Sequence, residues 1–415
     1  MTTIPRAAVS PRLAIDLEQP LPDLSADAAG HSTRALPLVR LHGRPLGLVP
    51  VTLPCPAARL ADEIERVLGD FVRGHLQEDG IDWPGRMQPG AELPDDPACH
   101  RELVATSVSV VVTALAAGDE LAGVLRGVQQ QEHAPHEVIL VDNRPASSGL
   151  ARFVADWTAT PVQYIAEPRP GLSWARNAGL AAAGGEVVVF SDDDVVVDPG
   201  WLRALLTGFD APDVMCVTGL ILPLELETTA QQWIEQFGGF GKGFTRRRFD
   251  LGRHRDPSPL YPFNAGVFGS GANTAFRTAA LRSIGGFDVH LGTGTPARGG
   301  EDLDIFLEVL AGGGAIVYEP SAVLWHAHHR EVADLRRQVR GYGVGLGAAM
   351  TKRFVERPAE RLQMLHRLPL GMRHLLDPGS TKNAGKTTAY PRSLTLLELA
   401  GVAQGPVAYW RSRRG

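Results

Sequence analysis

Between Val108 and Phe190, four short apolar, β-branched runs alternate with amphipathic stretches, and this alternation restricts the fold more than any other feature. Val108-Ser109-Val110-Val111-Val112, Val138-Ile139-Leu140-Val141, Val162-Gln163-Tyr164-Ile165 and Val187-Val188-Val189-Phe190 read as strands. Between them, Leu121, Val124, Leu125 and Val128, then Leu150, Phe153, Val154 and Trp157, then residues 172–183 read as helices. Single helices between strands predict a parallel sheet with right-handed crossovers. Such sheets bind ligands at the carboxyl ends of their strands, so chemistry is expected just after each run.

Two of the four runs end in carboxylates. Asp142 follows the second, and Asp192-Asp193-Asp194 follows the fourth. Three adjacent acids repel one another unless a cation offsets them. Oxygen ligands suit a hard divalent ion, Mg2+ or Mn2+, which also takes phosphate oxygens. Alternate residues of an extended segment share a side, so Asp192 and Asp194 act together and Asp193 points elsewhere. The competing reading is an Asx-rich turn capping a helix near Pro199-Gly200-Trp201. Further on, Glu301, Asp302 and Asp304 precede Ile305, Phe306, Val309 and Leu310, so they read equally as acids in the first turn of a helix. His326, His328 and His329 follow the strand-like Ala322-Val323-Leu324.

The segments outside this core are less regular. Residues 1–36 are rich in Pro, Ala and Ser and are predicted to be disordered. Residues 37–104 are predicted to form a small accessory unit: a hairpin around Gly43, an amphipathic helix through Leu60, Ile64, Val67, Leu68 and Phe71, and a linker over 80–104. Residues 105–330 are expected to form the main α/β unit and 331–415 a helical extension. From Arg330 to Gly415 the chain carries 16 Lys and Arg against 6 Asp and Glu, a balance of +10 on a chain of net charge −5. It implies either an anionic partner such as a membrane surface or a solvated helical face. The stretch 394–410 reads as an interfacial helix or as one packed on the catalytic unit. The glycines around Gly238-Gly239 and Arg246, Arg247, Arg248, Arg253 and Arg255 suggest a lid that clamps a diphosphate, or a solvated loop. These arginines lack the aromatic platforms of nucleic-acid binding, so no nucleic-acid partner is expected. Three scattered cysteines, Cys55, Cys99 and Cys216, fit a reducing compartment. With no leader-like N-terminus and no run of about 18 apolar residues, a cytoplasmic location is expected, with peripheral contact at the inner membrane face.

The motifs taken in order resemble family 2 glycosyltransferases of the GT-A fold. They are Val108 to Thr113, Val141-Asp142-Asn143, Gly171-Leu172-Ser173-Trp174-Ala175-Arg176-Asn177-Ala178-Gly179, Ser191-Asp192-Asp193-Asp194, Gly271-Ala272-Asn273-Thr274, Gly285-Gly286-Phe287-Asp288 and Gly300-Glu301-Asp302. The resemblance spans residues 107–330. It implies an α/β fold with a mixed, mostly parallel sheet flanked by helices, a small N-terminal α+β appendage and a helical C-terminal tail. It also implies an inverting transferase that moves a sugar from a nucleotide-sugar, most commonly a UDP-sugar, to an acceptor hydroxyl that is lipid-linked in some cases, in glycan or cell-envelope synthesis. Thr113, Asp142, Arg176, Asn177, Asp192 and Asp193 would bind the donor. Asp192, Asp194 and His326 would hold Mn2+ or Mg2+, with His328 the second choice to His326. Glu301 and Asn273 would lie on the acceptor side, and Asp302 would be the general base. Asn143 departs from the acid often found there. The chain lacks the Gln-x-x-Arg-Trp motif of the processive synthases, having Gln338-Val339-Arg340-Gly341-Tyr342, which implies single additions. A sugar nucleotidyltransferase would need a basic, glycine-rich loop after the first strand, and a nicotinamide enzyme would need GxGxxG there. Thr113-Ala114-Leu115-Ala116-Ala117 is neither. The alternatives kept beside the transferase are a sugar nucleotidyltransferase and a non-catalytic nucleotide-sugar-binding module.

Overall fold

The computed structural model describes residues 13–25, 33–83, 85–90, 93, 106–159 and 161–414. The N-terminal part has five short strands, β1 (Ala14–Asp16), β2 (Arg34–Ala35), β3 (Leu38–Leu41), β4 (Arg44–Leu48) and β5 (Val51–Thr52), and the helix α1 (Ala57–Glu78). Here the expectation of disorder to residue 36 is corrected for the described residues. β1 pairs in parallel with β3, and Ile15, Leu17, Leu21 and Leu24 are buried with Ile64, Leu68 and Val72 of α1. Enough apolar side chains fall among the prolines to close a small core. Met87 and Leu93 also enter it, so the described residues of the 80–104 stretch are packed rather than linking. Leu38 reaches the core of the large sheet, and Arg40 forms an ion pair with Asp198, seating this unit on the rest of the chain.

The large sheet is built from β6 (Val108–Ala114), β7 (Glu137–Asp142), β8 (Gln163–Ala166), β9 (Val187–Ser191), β10 (Val195–Val197), β11 (Val214–Pro223), β12 (Arg247–Phe249), β13 (Asn273–Arg277) and β14 (Ala315–His326). Its order is β10-β14-β11-β13-β9-β6-β7-β8, with β12 also paired to β14. β6, β7, β8 and β9 are mutually parallel, and β13 runs antiparallel to both β9 and β11. This is the mixed, mostly parallel arrangement that the sequence led one to expect. β6 is buried along its whole length, as a strand covered on both faces must be. The helices α2 (Asp119–Gln129), α3 (Leu150–Ala155), α4 (Leu172–Ala182), α5 (Trp201–Thr207), α6 (Thr229–Phe237), α7 (Thr278–Ile284) and α8 (Glu301–Ala311) complete this unit. Apolar clusters lie on both sides of the sheet, one built on Val110, Val124 and Trp201, the other on Val111, Phe190 and Phe306.

Three helices follow: α9 (Val332–Glu356), α10 (Arg361–Leu376) and α11 (Arg392–Ser412). α11 packs along α9 through glycines. A Cβ on Gly343 would lie 2.2 Å from the Glu398 carbonyl oxygen, and one on Gly405 would lie 2.3 Å from the Gly347 backbone. A Cβ on Gly345 would lie 2.7 Å from Gly299, so that residue presses α9 against the loop before α8. Only hydrogen fits at these positions. Gly405→Val should therefore lower stability by about 1–3 kcal/mol, the usual cost of overpacking, read as a lower urea midpoint with an unchanged slope.

Candidate active site

Strand register builds the central cluster. In the antiparallel pairing of β10 with β14, Val195 sits opposite His326, and the Ala327 N–H donates to the Asp194 carbonyl at 3.1 Å. This brings Asp194 Oδ1 to 3.4 Å from His326 Nε2. One ligand atom each from Asp192, Asp194 and His326 falls within 4.8 Å of the others. Asp194 Oδ1 and His326 Nδ1 are buried without a hydrogen-bond partner. Burial, with His328 adding, lowers His326 to about 4, so its imidazole is neutral and has a lone pair to give. Burial, reinforced by Asp192 and Asp193, pushes Asp194 up to about 8. Crowded carboxylates and a neutral imidazole are the donor set of a divalent cation, and these residues fit Mn2+ or Mg2+. Asp193 turns to the end of β6, where the Leu115 N–H reaches it; burial and Asp192 raise it to about 6. His328 is occupied elsewhere, with Nε2 2.8 Å from Glu235 Oε1.

Arg176 ties this cluster to the opposite wall. It is 2% exposed. Its guanidinium lies 3.5 Å from Asp192 and donates to Glu301 at 3.1 Å and to the Gly271 carbonyl at 3.1 Å. The residue assigned to the donor is thus an internal brace. Glu301, nearly buried, is held on that brace and lines the cleft from there. Burial and the neighbouring Asp302 raise it to about 7, while Arg176 pulls the other way. Asp302 is the more open of the pair. Its Oδ2 accepts the Gly271 N–H at 3.2 Å and its Oδ1 accepts the Leu303 N–H at 2.8 Å, which fixes the carboxylate at the start of α8. A side chain on Gly271 would meet Arg176 at 2.8 Å and Asp302 at 3.1 Å, so glycine is needed there.

Three other expected ligand-binding residues are internal. Asp142 is fully buried: Ser148 and Tyr164 hydroxyls donate to Oδ2 at 2.5 and 2.9 Å, and the Arg144 N–H donates to Oδ1 at 2.9 Å. It shapes the strand-end turn. Asn177 clamps Phe287, donating to its carbonyl at 2.8 Å and accepting from its N–H at 2.9 Å. Asn273 accepts from the Trp201 indole at 2.8 Å and donates to Leu220 and Ala322 carbonyls at 3.1 and 2.9 Å, a cross-strand tie that leaves no free group for an acceptor. Thr113 stands nearly buried at the end of β6. Of the arginines offered as a clamp, three are held by the protein's own groups. Arg246 pairs with Asp210 and Glu319, and Arg248 with Asp213. Arg247 lies in β12, where its side chain donates to the Val267 carbonyl at 3.3 Å.

Sequence reasoning passed over other charged residues nearby. Glu167 forms a doubly bonded pair with Arg169, and Arg169 lies over the Trp174 ring at 3.7 Å from its centroid. The run Glu167-Pro168-Arg169 right after the third strand was the available signal. Lys242 lines the cleft from the glycine loop, and burial lowers it to about 8. The cleft, about 3650 Å³, is continuous and is lined by Arg176, Asp192, Lys242, Asp302, His326 and Tyr342 among others.

Residues 109–285 match Glycosyl transferase family 2. The chain is 29% identical over 189 residues to "Pre-mycofactocin glycosyltransferase" of Mycobacterium tuberculosis, covering 46% of this chain and 37% of that protein. It is 27% identical over 209 residues to "Succinoglycan biosynthesis protein ExoM" of Rhizobium meliloti, covering 49% and 61%. The chain thus spans less than two thirds of these relatives' lengths. A mannosyltransferase structure from Pyrobaculum calidifontis, in complex with GDP-Man and Mn2+, superposes with a TM-score of 0.49 at 17% identity, over 72% of this chain and 87% of that one. On the family match together with the sheet order, this chain carries a domain of glycosyl transferase family 2.

Proposed function

We propose that this protein transfers a sugar from a nucleotide-diphosphate sugar to an acceptor hydroxyl, with inversion at the anomeric carbon. The observation that carries the reading is the meeting of two chemistries in one cleft: the Asp192–Asp194–His326 donor set on one wall and the anchored Asp302 on the other. Asp192, Asp194 and His326 would hold the metal ion, which when bound offsets charge on the departing diphosphate. Asp302 takes the proton of the incoming hydroxyl as the new glycosidic bond forms. Its two backbone hydrogen bonds aim the carboxylate, and Arg176 keeps the two walls in register. Lys242 adds a positive charge near the phosphates. Incubation with Mn2+ and a panel of UDP-, GDP- and dTDP-sugars tests the reading, with UDP-sugars first. A donor whose nucleotide is released only when the acceptor is present supports it. No release from any donor, with any acceptor extract, ends it.

The acceptor side of this reading faces a membrane surface. No helix among the described residues is long and apolar enough to cross a membrane. Residues 394–410, one candidate for the interface, are instead committed to α9, with Leu394 and Tyr409 buried. α10 takes that place. It exposes Leu362, Leu365, Leu368 and Met372 by 42–67%, carries Arg361, Arg367 and Arg373, and has no acidic residue. Apolar side chains flanked by cations fit a bilayer containing anionic lipid. Leu365→Glu with Leu368→Glu should cut co-sedimentation with phosphatidylglycerol vesicles about tenfold or more, since each buried leucine contributes roughly 1.5–3 kcal/mol. Unchanged sedimentation would remove the membrane from the proposal and leave the transfer chemistry standing.

A further inference from the structure

A second cluster of metal-binding side chains lies in the N-terminal unit, outside the family 2 domain. His42 occupies the turn between β3 and β4 with a left-handed φ of 52°. His75 lies in the last turn of α1 and Asp79 is the C-cap, four residues on, so both side chains project from one side of the helix. His42 and His75 are only 4% and 8% exposed.

The three groups converge on a point. His42 Nδ1 is 3.1 Å from His75 Nε2 and 2.9 Å from Asp79 Oδ2, and His75 Nε2 is 3.2 Å from that same oxygen. The three atoms form a nearly equilateral triangle. Hydrogen bonding alone does not satisfy such a triangle. A ring nitrogen is either a donor or an acceptor, and a carboxylate only accepts. If both nitrogens carry protons toward Asp79, two N–H groups face each other. If one offers a lone pair to the other, that lone pair also faces the carboxylate. With Asp79 ionised, each assignment within the triangle leaves one edge repulsive in a buried place. A cation at the centre accepts all three lone pairs at once. Zinc bonds of about 2.0–2.1 Å at tetrahedral angles set ligand atoms roughly 3.3 Å apart, close to the spacing found here.

We propose that His42, His75 and Asp79 bind one zinc-class divalent ion, which fastens the β3–β4 turn to the end of α1. Two imidazoles and one carboxylate favour Zn2+, whereas the carboxylate-rich set in the cleft favours Mn2+ or Mg2+. The backbone N–H of His42 donates to Glu18 Oε1, and Glu18 Oε2 is buried without a hydrogen-bond partner. Glu18 therefore both steadies the His42 backbone and brings a further carboxylate to this corner. Three protein ligands leave the fourth position to that carboxylate or to water.

The test uses the full chain without a polyhistidine tag, in an Asp194→Ala background that removes the cleft site. After exposure to zinc and dialysis, elemental analysis should find one equivalent per chain. His42→Gln or His75→Gln should bring it near zero. Replacement by Co2+ should give the visible absorption of a tetrahedral site in the Asp194→Ala chain itself, a readout that stands even where the His variants fail to fold. Absence of that band, or unchanged zinc content in a folded His75→Gln chain, overturns the proposal. Neither result bears on the transferase reading.

Discussion

Asp302→Asn should slow sugar transfer about a thousandfold, within the 10²–10⁴ range typical of a general base, and leave Mn2+-dependent donor binding within a few-fold of the parent. The two effects separate because Asp302 touches the donor cluster only through Gly271 and Arg176. The amide keeps the shape but accepts through one oxygen, so one of the two backbone bonds is lost, a local cost of about 1 kcal/mol. Single-turnover kinetics beside a donor-binding isotherm would measure both quantities. Transfer at the parental rate would remove Asp302 as the base. Loss of donor binding in equal measure would make the residue a scaffold for the cleft.

Asp194→Ala should have the opposite signature. Donor binding should lose its dependence on Mn2+, and turnover at saturating donor should fall about a thousandfold or more, several kcal/mol at about 1.4 kcal/mol per factor of ten. The raised pKa of Asp194 sharpens the expectation. Burial and two neighbouring acids lift it to about 8, so without a cation the group holds a proton near neutral pH. Metal binding to the parent chain should release protons, and more of them below pH 8 than above. Asp194→Ala should abolish that release. Calorimetry in buffers of different ionisation enthalpy checks it directly. A variant that keeps metal-dependent binding would transfer the ion to other ligands.

The parallel strands β6 to β9 were legible because they are contiguous apolar runs, whereas β10, β11 and β12 were not read; Asp194 and His326 were legible because their neighbours on the chain resemble known motifs. The register that joins them, Val195 opposite His326, is a pairing across more than a hundred residues that no local pattern encodes. Asp142, Asn177 and Asn273 show the converse limit. A polar residue at a strand end reads alike whether its hydrogen-bonding groups face a ligand or the protein's own backbone. The structure gives those groups to Ser148, Phe287 and Trp201. Arg176 was expected to bind the donor. Its charge is spent inside, on Glu301 and Asp192. The buried core of residues 13–25 was hidden by its prolines, since four or five apolar residues suffice when a neighbouring strand supplies the other half of the ladder.

The bare seam of α9 has a mechanical consequence. Gly345 rests on Gly299 and Gly300, the two residues just ahead of Glu301 and Asp302, while Gly343 and Gly347 on another side of the same helix carry α11. With no side chains between them to absorb a shift, the three backbones move as a stack. A load on the outermost helix would reach the turn ahead of Glu301 and Asp302 with little cushioning, and under the proposed chemistry that turn holds the aim of the carboxylate.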